Sequence, residues 1–249
     1  MPVVKSRRGS IGSCCCSAET LRGHAMRVVP EKTVARLCLY RRILMQMLPE
    51  GRRFVRSHDI AAQARVTSAQ VRRDIMALGY KGLPGKGYGV QELLDSMSLF
   101  IDAPEREEVA LVGVGNLGRA LLAYLVGRRP NLTLRAAFDI DPAKDGLDIN
   151  GCPCYNVSRM AAIIAAFKIR IAVLAVPAAV AQDVAEELIA CGIKGILNFV
   201  PVRLHVPDSV HVEDMDISSS LERVAFFARA KASAKNAPLS PGKTVDSRL

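Results

Sequence analysis

Tryptophan is absent from the chain and aromatic residues make up only 5% of it, so any core must be built mainly from aliphatic side chains. Long apolar stretches are missing too, because the longest, residues 171–181, is interrupted by Pro177. A membrane-spanning helix needs roughly 20 apolar residues. No continuous apolar segment follows the basic residues near the N-terminus, so no secretory signal is predicted. We therefore expect a cytoplasmic protein without a membrane partner.

Cysteine pairs with the spacing of a zinc site are also missing. None of the seven cysteines forms a Cys-x-x-Cys pair, so we expect neither a metal site nor a disulfide framework. Cys152 and Cys154 flank a proline and leave a redox pair as an alternative, although one intervening residue is awkward for a relaxed disulfide.

Positive charge is confined to the first third of the sequence. Residues 1–90 carry 17 Lys and Arg against 5 Asp and Glu, whereas residues 91–249 carry 17 against 19. This asymmetry is typical of a polyanion-binding module joined to a domain with little net charge. A basic, solvated surface without a partner is the alternative.

Composition and periodicity divide the 249 residues into six segments. Segments rich in Ser, Gly and Pro at both ends are predicted to be disordered, and the length between them suffices for two modest domains. The segments are a disordered extension (1–25), a basic domain (26–90), a linker helix (91–104), a second domain (105–216), a C-terminal helix (217–231) and a disordered tail (232–249).

The basic domain shows the pattern of a helix-turn-helix. A first helix follows Pro30, a short second helix is capped by Ser57, and a third begins at Thr67. On the third helix Val71, Ile75 and Leu78 form one buried stripe. The residues predicted to face outward are Ser68, Ala69, Gln70, Arg72, Arg73 and Met76.

A glycine-rich segment, residues 82–89, follows the third helix and predicts a hairpin wing carrying Lys86 and Tyr88. Together with the outward face of the third helix it predicts a surface for double-stranded DNA. A small helical bundle with a basic face would produce a similar pattern. The predicted DNA contacts are Ser68, Gln70, Arg72, Arg73, Lys86 and Tyr88.

The second domain opens with a Gly-x-Gly-x-x-Gly sequence, residues 113–118, between a predicted strand and a predicted helix. Asp139 stands 26 positions after the first glycine, at the end of the next strand. This context is typical of dinucleotide binding, with the pyrophosphate at the helix N-terminus and the carboxylate on the ribose. The predicted cofactor residues are Gly113, Val114, Gly115, Asn116, Leu117, Gly118, Asp139 and Pro177.

No arginine follows Asp139, and the next acidic residue is Asp141. A 2′-phosphate would meet two carboxylates without a cationic partner, so the sequence favours NADH and NAD+ over the phosphorylated forms. A glycine turn that serves only packing, or that binds another nucleotide, stays open as an alternative.

Strands and helices alternate after the glycine loop, which predicts a doubly wound parallel α/β sheet of the Rossmann type. About 30 residues remain beyond the sheet, too few for a substrate domain, and no histidine has a catalytic context. We therefore expect no catalytic residues and no enzyme, with a nicotinamide-dependent oxidoreductase as the less favoured alternative. Residues 218–230 carry apolar side chains on more than one face, which predicts a domain-swapped helix in a homodimer.

Several of these segments together resemble the Rex family, redox-sensing transcriptional repressors with a winged helix and a Rossmann domain that leave operator DNA when NADH binds. The likeness spans roughly Met26 to Lys231. The segments that carry it are residues 35–37, 40–44, 70–74, 113–118, 138–142, 176–177, 192–199 and 225–227.

The resemblance implies an allosteric switch in which Arg42, Tyr124 and Asp216 change partners between the DNA-bound and NADH-bound states. It also implies a repressor that senses the ratio of NADH to NAD+. A Rex-like regulator that responds to a different nucleotide is the alternative. The chain departs from the family at Leu83 and Pro84 in the wing, where an arginine is missing, and at residues 76–78, so the operator is left open.

Overall fold

The computed structural model describes residues 29–128 and 131–235. The predicted extension, the first residues of the winged-helix domain and residues 236–249 of the predicted tail lie outside the described residues. The chain divides into two compact units, which meet in sequence between Asp102 and Ala103. Among the described residues, no helix is both long and apolar enough to cross a membrane.

From residue 29 onward, the N-terminal unit consists of four helices and a two-stranded ribbon. Its largest fully buried side chains, among them Leu37, Tyr40 and Ile75, come from all four of these helices and form one apolar cluster. The elements are α1 (Glu31–Met47), β1 (Phe54–Val55), α2 (Ser57–Ala64), α3 (Ser68–Ala77), β2 (Tyr88–Gly89) and α4 (Val90–Ile101).

The prediction of a linker helix at residues 91–104 is corrected by the packing of α4. Leu93 and Met97 are fully buried in the same cluster as Leu37 and Tyr40. Because α4 supplies part of the core, it belongs to the N-terminal unit, and the change of unit comes only after its last turn.

The two helices of the helix-turn-helix, α2 and α3, have different N-terminal caps. The Thr67 hydroxyl accepts the Gln70 amide hydrogen at 3.1 Å, in agreement with the predicted start of α3. Ser57, expected to cap α2, is its first helical residue instead. The Asp59 carboxylate accepts the Arg56 amide hydrogen at 3.0 Å and so closes the first turn.

The C-terminal unit is built on a seven-stranded sheet. Its elements are β3 (Glu107–Val112), α5 (Asn116–Leu125), β4 (Leu132–Asp139), β5 (Asp148–Ile149), β6 (Cys152–Asn156), α6 (Met160–Phe167), β7 (Ile171–Leu174), α7 (Ala181–Ala190), β8 (Gly195–Asn198), β9 (His211–Asp214) and α8 (Ile217–Lys235). The strand order is β5-β6-β4-β3-β7-β8-β9, and only β5 is antiparallel. The six parallel strands follow the 3-2-1-4-5-6 order of the Rossmann fold.

Both faces of this sheet are covered. Along β3, Ala110 and Val112 pack into the cluster that contains α6 and α7, whereas Val109 and Leu111 pack into the cluster that contains Leu122 of α5. Alternate residues of one strand therefore contact helices on opposite faces, which is the doubly wound arrangement that the sequence predicts.

The sequence did not predict three strands, β5, β6 and β9. Strand β6 contains Pro153 between two buried cysteines, and its partner β5 has only two residues. Strand β9 contains His211, Glu213 and Asp214, and among the described strands it pairs only with β8 and ends the sheet. The edge strands β5 and β9 are short or polar, and β6 is interrupted by Pro153. None of the three has the apolar run that marks a buried parallel strand, so periodicity alone cannot find them.

Helix α8 extends four residues beyond its predicted end at residue 231, into the predicted tail. Large apolar side chains are exposed along it: Ile217, Leu221, Val224, Phe226 and Phe227 are 59% to 67% exposed. Its residues 217–231 have no buried face.

Two leucines of α4 test its place in the core. Leu93→Ala should lower the unfolding free energy of the N-terminal unit by about 2 to 5 kcal/mol, because it leaves a cavity in packed surroundings. Leu99→Ala, at a position that is 74% exposed, should change it by less than about 0.5 kcal/mol. Hydrogen exchange of the α1 amides in urea measures both, and equal effects would contradict the placement of α4.

Candidate functional sites

The glycine loop between β3 and α5 is tight at its ends and open in its middle. Gly113 has φ +96°, and a Cβ atom there would collide with the Ala175 carbonyl. A Cβ atom on Gly118 would collide with the Gly113 carbonyl, whereas one on Gly115 would meet nothing within 4 Å. Helix α5 therefore begins close to the sheet, and its N-terminus faces open space at Gly115, where a phosphate group can approach.

Asp139 holds this loop from the end of β4. Its carboxylate accepts the Val114 amide hydrogen at 2.8 Å and the Asp141 amide hydrogen at 2.9 Å, and the residue is only 8% exposed. Burial alone would raise the pKa of Asp139. The hydrogen bonds from Asp141, Lys144 and Val114 outweigh burial and hold this pKa below its ordinary value.

Lys144 is a cation that the sequence analysis missed. Its Nζ atom lies 2.9 Å from Asp139 and 3.8 Å from Asp141, on the short 3₁₀ helix Pro142–Lys144. The premise that a 2′-phosphate would meet no cation here is therefore wrong. Asp141, whose side chain is 46% exposed, is the more accessible of the two carboxylates. The sequence shows a lysine five residues after Asp139, and this spacing was the signal that could have predicted the ion pair.

Pro177 lies on the other side of the point where the strand order reverses. Strand β3 pairs with β4 on one side and β7 on the other, and Pro177 follows β7 as an exposed residue before a 3₁₀ helix. The crevice at such a reversal is where open α/β sheets bind ligands. Of the other predicted residues, Val114 is buried, and Asn116 and Leu117 are exposed at the start of α5.

In the N-terminal unit, helix α3 presents the polar face that the sequence predicts. Val71 and Ile75 are fully buried, whereas Arg72 and Arg73 are exposed and Met76 is 71% exposed. Ser68 is partly buried in the first turn. The two arginines and the first turn thus lie on the side of α3 that is open to a partner.

A buried carboxylate joins α3 to α1. Asp74, 3% exposed, accepts two hydrogen bonds from the Arg36 guanidinium at 2.7 and 2.8 Å and one from the Tyr40 hydroxyl at 2.9 Å. Burial alone would raise the pKa of Asp74, but the hydrogen bonds from Arg36, Gln70 and Tyr40 hold it below its ordinary value. Burial and the bond to Asp74 raise the pKa of Tyr40.

The side-chain amide of Gln70, predicted to contact DNA, is hydrogen-bonded at both ends to other residues of α3. Its amide group donates to Asp74 at 2.8 Å, and its oxygen accepts from the Arg73 guanidinium at 2.8 Å. A chain of bonds therefore runs from Arg36 through Asp74 and Gln70 to Arg73. Gln70 lies four residues before Asp74 and three before Arg73 on α3, a spacing that favours side-chain pairs. Arg36 reaches Asp74 from the facing helix α1.

The wing is a tight turn. The Lys86 amide hydrogen bonds the Leu83 carbonyl at 3.2 Å, with Pro84 and Gly85 between them and φ +77° at Gly85. Proline followed by a glycine with positive φ is typical of a type II turn. The Lys86 ammonium is exposed, 5.6 Å from the centre of the Phe54 ring, and Tyr88 is partly buried in β2.

The three predicted switch residues have separate local environments. Arg42 is exposed on α1, next to Arg41, which pairs with Asp102 at 2.6 Å. Tyr124 is 57% exposed, and the Arg128 guanidinium lies 4.1 Å from the centre of its ring. Asp216 accepts the Ser219 amide hydrogen at 2.9 Å and caps α8. Hydrogen bonds from Ser219 lower the pKa of Asp216.

The cysteines on β6 are poor candidates for redox chemistry. Cys152 and Cys154 are both fully buried. Burial raises the pKa of Cys152 to about 12 and also raises that of Cys154. Because the thiolate is the reactive form, burial and the raised pKa values disfavour redox chemistry at these two thiols.

Two family models match the chain, one for each unit. The model described as putative DNA-binding protein N-terminus covers residues 28–75, and the model described as CoA binding domain covers residues 104–202. The redox-sensing transcriptional repressor Rex of Lactobacillus gasseri is 41% identical over 199 residues, which cover 80% of this chain and 93% of the relative. Rex of Anoxybacillus flavithermus is 39% identical over 201 residues, 81% and 94% of the two chains.

The chain belongs to the Rex family. The crystal structure of RSP, a Rex-family repressor, has a TM-score of 0.78 and 31% identity, with 85% of this chain and 100% of RSP covered. RSP in complex with β-NAD+ and operator DNA matches with a TM-score of 0.76 and 32% identity, over 84% of this chain and 96% of that one. Rex relatives are named as repressors, in agreement with the expectation that this chain is no enzyme.

The Asp74 network of this Rex-family chain makes its stability depend on pH. The pKa of Asp74 is lower in the folded state than its ordinary value of 3.8. Its stabilisation is therefore complete above that ordinary value and is lost as the pH falls through the folded pKa. Asp74→Asn should lower the unfolding free energy of the N-terminal unit at pH 7 by about 3 kcal/mol, because the Arg36 charge loses its partner.

Urea unfolding from pH 7 to pH 3 checks this expectation. Asp95→Asn, which changes an exposed carboxylate on α4, is the control and should keep the wild-type profile. A wild-type profile for Asp74→Asn as well would show that the pair with Arg36 contributes nothing.

Proposed function

We propose that this chain is a DNA-binding transcriptional repressor that senses the ratio of NADH to NAD+ and leaves its operator when NADH binds. The observation that carries the proposal is the presence, in one Rex-family chain, of a basic helix-turn-helix and a glycine loop at the switch point of a Rossmann sheet. RSP, its relative of similar fold, was crystallised with β-NAD+ and operator DNA and with β-NADH.

Helix α3 would enter the major groove, with Ser68, Arg72 and Arg73 directed at DNA. Lys86 and Tyr88 would contact the backbone from the wing, and Gln70 would hold Arg73 in place. Most of the affinity would come from phosphate contacts, so binding should weaken steeply as salt rises. DNA as partner also supports a cytoplasmic location.

The dinucleotide would lie across the crevice between β3 and β7. The open N-terminus of α5, from Gly115 to Gly118, would receive the pyrophosphate, and Asp139 and Asp141 would face the ribose. The nicotinamide supplies the signal, since its two oxidation states differ in charge and shape. A different nucleotide is the second candidate, because Lys144 adds a cation and residues 104–202 match a CoA binding domain model.

A homodimer would cover the exposed side chains of α8. A helix with apolar side chains on several faces gains stability from insertion into a second subunit. The two recognition helices of a dimer could then bind two half-sites of one operator. Asp216 at the start of α8, Tyr124 on α5 and Arg42 on α1 would form different ion pairs and hydrogen bonds in the two states, as the family resemblance implies.

The decisive experiment is a titration of the complex between the purified chain and DNA from upstream of its own gene, at fixed salt. NADH should dissociate the complex, NAD+ should oppose NADH, and NADPH should act only at higher concentration. A ligand changes DNA affinity only through a difference between the two states, so equal effects of NADH and NAD+ would rule out redox sensing. Release by coenzyme A alone would favour the second candidate.

The dimer is tested on α8. Phe226→Ser and Phe227→Ser together should shift sedimentation from dimer to monomer and weaken operator binding, because the helix loses its two aromatic side chains. Arg229→Ser, at an exposed position of the same helix, should leave both unchanged. A stable dimer in the double variant would contradict the proposed role of α8.

A further inference from the structure

The outward face of α3 has a definite composition. Ala69, Arg72, Arg73 and Met76 are all exposed, and they recur at intervals of three and four residues. One surface of the helix therefore carries two cations with an apolar side chain toward its C-terminal end. The buried face, with Val71, holds the helix in this orientation.

Both arginines on this face are bonded to other parts of the N-terminal unit. Arg73 donates to the Gln70 side chain at 2.8 Å, and Arg72 donates to the Ser57 hydroxyl at 3.3 Å. Gln70 has both ends of its amide in use. Three of the predicted DNA contacts, Gln70, Arg72 and Arg73, are therefore hydrogen-bonded to other protein groups.

Met76 differs from these residues. It is 71% exposed, although a methionine buried in a core would gain roughly 1.5 to 3 kcal/mol. It lies seven residues after Ala69, so the two side chains share one line along the helix. A charged residue here would add to the attraction for phosphate, whereas a thioether adds none.

We propose that Met76 is a specificity-determining residue that contacts the C5 methyl group of thymine in the major groove. The proposal rests on the proposed DNA-binding function and adds a residue that selects bases. Thymine alone presents an apolar group at this groove edge, and apolar side chains recognise it by contact. Cytosine presents an amino donor, and adenine presents a donor and an acceptor, which Met76 would desolvate without a partner.

The test uses an operator duplex selected by the full-length chain from random DNA. Each thymine is replaced in turn by deoxyuridine, which keeps every hydrogen-bonding group and removes only the methyl group. For the wild-type chain, one position in each half-site should lose about fourfold in affinity, the change expected for the burial of one methyl group. In Met76→Ser the same replacement should have no effect.

Two control variants separate a methyl contact from a general change. Met76→Leu keeps an apolar side chain of similar volume and should keep the sensitivity to deoxyuridine. Met45→Ser removes a methionine that is 49% exposed on α1 and should behave as the wild type. Because Met76 is mostly exposed, Met76→Ser should keep the fold, which circular dichroism checks.

The possible failures are distinguishable. A chain that selects no sequence from random DNA would overturn the proposed function, and this inference with it. A chain that binds its operator, but whose Met76→Ser variant keeps the full sensitivity to deoxyuridine, would overturn only the role of Met76. Loss of sensitivity in Met45→Ser as well would also overturn it, because the effect would then not be local to α3.

Discussion

The bidentate bond from Arg36 to Asp74 fixes the position of α3 against α1, and the exposed face of α3 depends on it. With three donors on a carboxylate that is 3% exposed, the charge is compensated where water cannot reach it. The same carboxylate accepts from Gln70, which in turn holds Arg73. The side chains proposed to contact DNA are therefore positioned by the core of the unit before any partner arrives, and such preorganisation reduces the ordering that binding requires.

The C-terminal unit uses a carboxylate in a similar way. Asp139 bonds the amide of Val114 inside the glycine loop and also pairs with Lys144. It therefore stabilises the loop in addition to any contact it makes with a ribose. Its charge is partly balanced by Lys144, so the two carboxylates are not the unpaired acidic pair on which the sequence-based preference for NADH and NAD+ relied.

Sequence patterns located α3, the glycine loop and the central strands because each depends on local chemistry: the Thr67 cap, the steric demands at Gly113 and Gly118, and buried apolar strands. They failed where the tertiary environment decides. Strand β9 is polar and defined by its neighbour β8, and α4 resembled a linker although its apolar side is core. The sequence predicts Gln70 as a DNA contact because the bonds of its side chain to Asp74 and Arg73 depend on the packing of α3, which the sequence does not show.

The turn of the wing has a consequence for the thermodynamics of binding. Proline restricts φ at Pro84, and the hydrogen bonds between Leu83 and Gly87 close the loop behind it. A loop of this kind has few conformations to lose when it meets a duplex. In the proposed complex the wing should therefore bind with a smaller entropic penalty than a flexible loop of the same length, which would offset part of the attraction lost with the absent arginine.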